Sequence, residues 1–365
     1  MRDRRNVYGR IDPVPLLAAI GFIIALVSVT LAVVAIGRSD GDGYGSFGGP
    51  MMGGMSPGNM GHTRPLSTKG ITAASGSRGG VPLAGVKRDG AIEFELTAKP
   101  VWWNILRDQR VAAWSYNGIV PGPEIRVRNG QRVRVKFTNN LPEPTTVHWH
   151  GVGVPNSQDG VPGVTQDPIE PGASQVYEFV ARPAGESGGD GTFFYHSHFE
   201  EDRQMAAGLY GALIIEPRRG APAPARERTL IVSEWTADPA SGRVRGGMPM
   251  GGMFPNYFSI NGKSFPDTEQ IEVKAGDRFS LRLINAGQFA HPLHLHGTAF
   301  RIVARDGHPT GDRSLRDTVT LESGERADIS FVLPKGKWLF HCHIGHHLTN
   351  NGEGPGGLMT IVNAT

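Results

Sequence analysis

From residue 91 onward the sequence runs through the same pattern twice. Ile125-Arg-Val-Arg and Val133-Arg-Val-Lys-Phe137 alternate apolar and polar residues around the turn Asn129-Gly130. Ile271-Glu-Val-Lys and Phe279-Ser-Leu-Arg-Leu283 do the same around Gly276-Asp277. Asn117-Gly118 has a counterpart in Asn261-Gly262, and His148-Trp-His-Gly151 has one in His294-Leu-His-Gly297. Thr192-Phe-Phe-Tyr-His-Ser-His198 matches Lys337-Trp-Leu-Phe-His-Cys-His343, and each copy closes on an apolar run, Gly211 to Ile215 and Gly357 to Val362. Short runs of period two between turn residues are the pattern of half-buried strands, and no long amphipathic helix interrupts them. The repeat predicts an all-β chain built from two copies of one β-sandwich. The Pro/Ala/Arg stretch from Glu216 to Arg228 is the expected linker. The 51 glycines and 27 prolines suit a protein with many turns.

Eight of the thirteen histidines fall in four H-x-H pairs: His148/His150, His196/His198, His294/His296 and His341/His343. On a strand the two members of such a pair share a face. Recurrence of the pairs at matching places in both copies points to metal ligation, and imidazole suits copper, zinc, iron or nickel. The only cysteine, Cys342, stands between His341 and His343, so alternation turns its sulfur away from both imidazoles. One strand could then serve two metal centres back to back. Cys342 with His347 and His291 would make the His₂Cys set of a blue-copper electron-transfer site. His291 differs in parity from His294 and His296, so it can face a different centre. Where the second copy has His291, Cys342 and His347, the first has Thr145, Ser197 and Asp202. One such site is expected per chain.

These segments resemble those of the multicopper oxidases, and within them the two-domain (small) laccases. The resemblance covers roughly residues 91 to 365. It rests on Tyr116-Asn-Gly-Ile-Val-Pro-Gly-Pro123, His148-Trp-His-Gly151, Asp159-Gly-Val-Pro162, Thr165-Gln-Asp-Pro168, His291-Pro-Leu-His-Leu-His-Gly297 and the His-Cys-His stretch. It implies two cupredoxin-like Greek-key sandwiches, domain 1 over 91–217 without a type 1 copper and domain 2 over 226–365 with one. It implies four coppers per chain. The type 1 ligands would be His291, Cys342 and His347, with His346 as the rival of its neighbour. The type 2 ligands would be His148 and His294. The type 3 ligands would be His150, His196, His198, His296, His341 and His343. Relatives usually carry Met or Leu ten residues after the Cys. Here that residue is Gly352, so Met359 becomes the expected axial ligand and Leu358 the second choice. Asp159 matches the acid that relatives place near the type 2 copper and is the candidate proton relay.

The activity so implied is laccase-like: one-electron oxidation of phenolic or aromatic reductants coupled to four-electron reduction of O2 to water. An oxidase acting on Cu(I) is the alternative, suggested by Met248, Met250 and Met253 in a Gly-rich loop. More distant is a two-domain copper nitrite reductase, which would need its Cys in the first domain. Because each domain supplies four cluster histidines, the resemblance implies a homotrimer with clusters between neighbouring chains.

Val14 to Ile36 is an uncharged apolar run reaching roughly 34 Å as a helix, enough to span a bilayer core. Arg2, Arg4, Arg5 and Arg10 precede it, so residues 1–13 are expected in the cytoplasm and the catalytic domains outside it. Residues 37–90 are rich in Gly, Ser and Pro and carry Met51, Met52, Met55 and Met60; they are expected to form a flexible tether. Net charge is +3, which does not suggest nucleic acid. A single cysteine excludes an internal disulfide.

Overall fold

The computed structural model describes residues 66–185, 190–218, 226–244 and 255–365. The expected anchor at 14–36, the Met-bearing part of the tether and the Met248–Met253 loop lie outside the described residues. Among the described residues no helix is long and apolar enough to cross a membrane.

The first domain comprises β1 (Thr72–Ala73), β2 (Val86–Arg88), β3 (Ala91–Asn104), β4 (Arg110–Tyr116), β5 (Gly122–Arg128), β6 (Arg132–Asn139), β7 (His148–His150), β8 (Ser174–Val180), β9 (Gly191–His196), the short helix α1 (Glu201–Ala206) and β10 (Tyr210–Glu216). The second comprises β11 (Glu227–Trp235), β12 (Tyr257–Ile260), β13 (Ile271–Val273), β14 (Arg278–Asn285), β15 (His291–Leu295), β16 (Arg301–Arg305), β17 (His308–Pro309), β18 (Thr318–Leu321), β19 (Arg326–Val332), β20 (Gly336–Cys342) and β21 (Met359–Ala364). The strand pairing copies itself. In the first domain β3 and β6 are parallel and β6 meets β8 antiparallel; in the second β11, β14 and β19 repeat that arrangement. The facing sheets run β5-β10-β9-β7 and β13-β21-β20-β15-β18. Two β-sandwiches are thus observed, as the repeat predicts.

Alternation sets what each strand buries. In β6 the apolar Val133, Val135 and Phe137 point inward while Arg134 and Lys136 stay partly exposed. In β14 Phe279, Leu281 and Leu283 do the same. Each fully buried side chain of this kind contributes roughly 1.5–3 kcal/mol. The two Asn-Gly turns match in detail. Asn117 and Asn261 adopt φ of 54° and 50°, and their carboxamide oxygens accept from the N–H of Thr97 and Ile231 at 2.7 and 2.8 Å. This equates Thr97 with Ile231 and aligns the two domains residue by residue.

Two boundaries need correction. Residues 66–90, expected in the tether, lie against the first domain. Leu66 is buried, β1 pairs with β3, and Ser75, Gly80 and Leu83 donate their N–H groups to the carbonyls of Gly118, Pro121 and Glu124. Backbone hydrogen bonds fasten this strap, so its apolar-poor composition did not reveal it. The expected linker is also shorter than drawn, because Glu216 ends β10 and Glu227 and Arg228 already belong to β11. The sandwiches share apolar packing: Trp235, Tyr257, Ile284 and Ala286 of the second domain join the core cluster of the first.

Candidate metal centre

β7 and β9 run antiparallel with His148 opposite His196, so both imidazoles leave the same face while Trp149 turns into the core. The His148 ring centroid lies 5.8, 5.2 and 5.3 Å from those of His150, His196 and His198. The second domain builds the same quartet on β15 and β20, with His294 opposite His341. His294 lies 4.9, 5.6 and 5.6 Å from His296, His341 and His343. Among the described residues, each contact between two of these eight histidines stays within its own quartet.

Backbone carbonyls set the tautomers, and the repeat copies them. His148 Nδ1 donates to the Asp159 carbonyl at 2.7 Å, and His294 Nδ1 donates to that of Asp317 at 2.8 Å. His196 and His341 donate Nδ1–H to the carbonyls of Ser197 and Cys342 at 2.9 and 2.7 Å. Each of the four rings then presents a bare Nε2 lone pair, the form that ligates a metal. In the first quartet His196 Nε2 stands 3.3 Å from His150 Nδ1. In the second, His341 Nε2 stands 3.0 Å from His296 Nε2. Burial pushes His150 down to about 3, with Arg326 and neighbouring imidazoles adding to the effect. His196 is pushed well below the usual histidine range by burial, and His296 and His341 are lowered for the same reason. Clustered neutral imidazoles with converging nitrogens fit a bound cation.

Behind the second quartet lies a different donor set. Cys342 pairs with Leu293, and His291 shares the parity of Leu293, so both side chains enter the sandwich. His347 arrives from a short 3-10 turn, Gly345–Leu348, stacked on Phe258 at 4.3 Å. Cys342 Sγ lies 3.8 Å from His291 Nδ1 and 3.4 Å from His347 Nδ1, and the two nitrogens are 3.1 Å apart. All three residues are buried. One thiol and two imidazole nitrogens converging on one point fit the His₂Cys copper site. Burial raises the Cys342 thiol to about 11 and lowers His347 to about 3. His346 is exposed and meets Phe258 edge-on at 5.6 Å, so the turn buries His347 and not its neighbour.

Three features differ from expectation or escaped it. Met359 is opposite His341 in the β20–β21 ladder and shares its face, so it points away from the Cys342 pocket. Leu358, whose carbonyl accepts from Cys342 N–H at 3.0 Å, is fully buried in the same core as Cys342 and would be the residue of this pair nearer a copper held there. In the first domain the corresponding pocket holds Thr145, Ser197 and Gln204. Thr145 Oγ1 and Ser197 Oγ are 3.1 Å apart and lie 2.7 and 2.6 Å from Gln204 Oε1. Gln204, not Asp202, fills the third corner, because the turn of α1 buries residue 204 and leaves 202 partly exposed. Glu234 was missed altogether. Its Oε1 accepts from His291 Nε2 at 2.7 Å. Counted from the Thr97–Ile231 equivalence that the two Asn hydrogen bonds supply, its counterpart in the first domain is Pro100, a match that spacing to the Asn-Gly turns does not give. Asp159 Oδ1 lies 3.5 Å from His148 Nδ1.

Comparison with known proteins agrees with this geometry. Family models described as "Multicopper oxidase" match residues 97–220 and 239–352. The chain is similar to the blue copper oxidase of Nitrosomonas europaea, with 37% identity, a TM-score of 0.68, and coverage of 74% of this chain and 85% of that one. It is 31% identical over 293 residues to a probable nitrite reductase-hydroxylamine oxidoreductase fusion protein of Kuenenia stuttgartiensis, covering 72% of this chain and 31% of the relative. It is 35% identical over 245 residues to Laccase-15 of Oryza sativa subsp. japonica, covering 61% and 39%. The chain belongs to the multicopper oxidase family and has its cupredoxin-like fold, and type 1, type 2 and type 3 copper are the cofactors of that family. It spans between about three-tenths and four-tenths of the length of these two curated relatives.

Proposed function

We propose that the chain is a laccase-like oxidase that takes electrons singly from phenolic or aromatic reductants and delivers four to dioxygen, releasing water. The supporting observation is the two-faced strand β20, with Cys342 turned into one donor set and His341 turned toward the other. Copper, when bound, supplies the one-electron chemistry at each centre. His291, Cys342 and His347 would hold the entry centre. His148 and His294 would hold type 2 copper, and His150, His196, His198, His296, His341 and His343 the type 3 pair. The Cys342 carbonyl accepts from His341 Nδ1–H, so the sulfur-bearing residue touches an exit imidazole through covalent bonds and one hydrogen bond. Asp159 is proposed to pass protons at the His148 side of the cluster. A nitrite reductase arrangement is disfavoured by Ser197 standing where its cysteine would be required.

Separation of the quartets within one chain supports a cluster completed by a neighbouring chain, in a homotrimer. The anchor at 14–36 would hold the catalytic domains on the outer face of the membrane. A mixing experiment tests the assembly. Chains carrying His150→Ala and chains carrying Cys342→Ser are each expected to be inactive, and co-assembled chains are expected to regain oxygen uptake. Failure of every mixture to recover activity would place a complete cluster in one chain. Oxygen uptake measured in parallel with a phenol and with Cu(I) tests the reductant; uptake with Cu(I) alone would overturn the phenolic assignment.

A further inference from the structure

Glu234 lies on β11, 57 positions from His291 and in the opposite sheet, yet it is almost entirely buried against that imidazole. Its Oε1 accepts from His291 Nε2 at 2.7 Å and from the Phe289 N–H at 3.1 Å; its Oε2 accepts from the Gln288 N–H at 3.0 Å. Residue 287 must be glycine for this approach, since a Cβ there would sit 2.0 Å from Oε2. A carboxylate only accepts hydrogen bonds, so the ring nitrogen facing it carries the proton. His291 is therefore an Nε2–H tautomer whose Nδ1 lone pair points at Cys342 Sγ and His347 Nδ1.

The first domain provides an internal control. Its pocket holds the neutral trio Thr145, Ser197 and Gln204, and the residue in the place of Glu234 is Pro100. The carboxylate accompanies the donor set and is missing where the donor set is missing. If its task were only to secure the Phe289 loop, two backbone N–H groups would suffice as partners. The third bond goes to the ligand.

We propose that Glu234 is a positioning residue of the electron-entry centre: it locks His291 in the ligating tautomer, and its negative charge keeps the reduction potential of that centre down. The physical reason is that a carboxylate on the remote nitrogen makes the imidazole a stronger donor and favours the more highly charged oxidised metal. The inference rests on the type 1 reading given above.

The test uses the copper-loaded full chain. The first measurement is the thiolate-to-copper absorption and type 1 electron paramagnetic resonance of the unaltered protein. Their absence would overturn the type 1 reading itself, a result distinct from those that follow. With that signal present, Glu234→Gln is expected to stay blue, to show a higher midpoint potential and to lose about 10–100-fold in type 1 copper affinity by chelator competition. Glu234→Asp retains the charge one methylene further away and is expected to lie between the two. Potentials of both variants equal to that of the unaltered protein would overturn the proposal. Should Glu234→Gln fail to fold, Glu234→Asp decides alone: a raised potential supports the role and an unchanged one overturns it.

Discussion

At the scale of single residues, one step along the chain separates Leu358 from Met359 beside the Cys342 donor set. Met359 opens β21 opposite His341, whereas Leu358, the residue just before the strand, shares the core with Cys342. A weak axial thioether stabilises oxidised copper, and an alkyl group there gives nothing. Leu358→Met is expected to lower the midpoint potential on the order of 59 mV, a tenfold shift in a one-electron equilibrium. Met359→Leu is expected to leave it unmoved. Spectroelectrochemical titration of the blue absorption checks both, and a rise caused by the second substitution would reverse the assignment. The same residues mark what could be read from sequence. Period two was enough to put Cys342 and the His341/His343 pair on opposite faces, because both belong to one uninterrupted strand. It could not place Met359, which lies beyond an irregular loop whose return register is fixed only by pairing with β20. Glu234 was invisible for a similar reason: a polar residue on an alternating strand looks solvent-facing until the opposite sheet closes over it.

At the scale of elements the loops carry the ligand geometry that the strands cannot. The Asp159 carbonyl holds His148, and the residue after it, Gly160, has φ of 79°. A Cβ at position 160 would stand 1.9 Å from the Val147 carbonyl oxygen, immediately before His148. Gly160→Ala is expected to destabilise the domain by about 1–3 kcal/mol and to displace the Asp159 carbonyl. Copper-loaded protein should then keep the blue absorption of the second domain and lose the type 2 resonance; an intact type 2 signal would refute the link. The strap at 66–90 shows why the first domain begins earlier than expected. Its short strands contribute hydrogen bonds to β3 and to the loop before β5, and such contacts leave no apolar periodicity to find.

At the scale of the whole molecule, the metal-free chain carries a stability cost written into its buried ligands. His150 and His347 fall to about 3 on folding, so the unfolded chain binds more protons than the folded one between roughly that value and 6.5. Stability contributed by these groups is present above about 6.5 and is lost as pH falls toward 3. The Cys342 thiol is shifted the other way, to about 11, so its contribution is present below about 9 and is lost as pH rises through 11. Thermal melts of copper-free protein are expected to peak between these limits. A flat profile from pH 4 to 7 would contradict the burial of the two imidazoles. The repeat was legible at this scale because each copy must bury its own core; the apolar seam joining Trp235 and Tyr257 to the first domain was not, since nothing in a strand's sequence says which neighbour covers it.

The quartets, each gathered on its own domain with its histidine-to-histidine contacts internal among the described residues, also bear on how the protein is made. If neighbouring chains complete the clusters, as proposed above, a newly synthesised polypeptide would carry two half-built cages, each open on the side where partner imidazoles would come. An ion delivered at that stage would be held from one side and free to exchange, whereas the thiol pocket behind is closed from the moment its sandwich folds. On the interchain assembly proposed above, the order of metal delivery and subunit docking would become a control point in biogenesis: colour would mature in a solitary chain, while oxygen chemistry would wait for company.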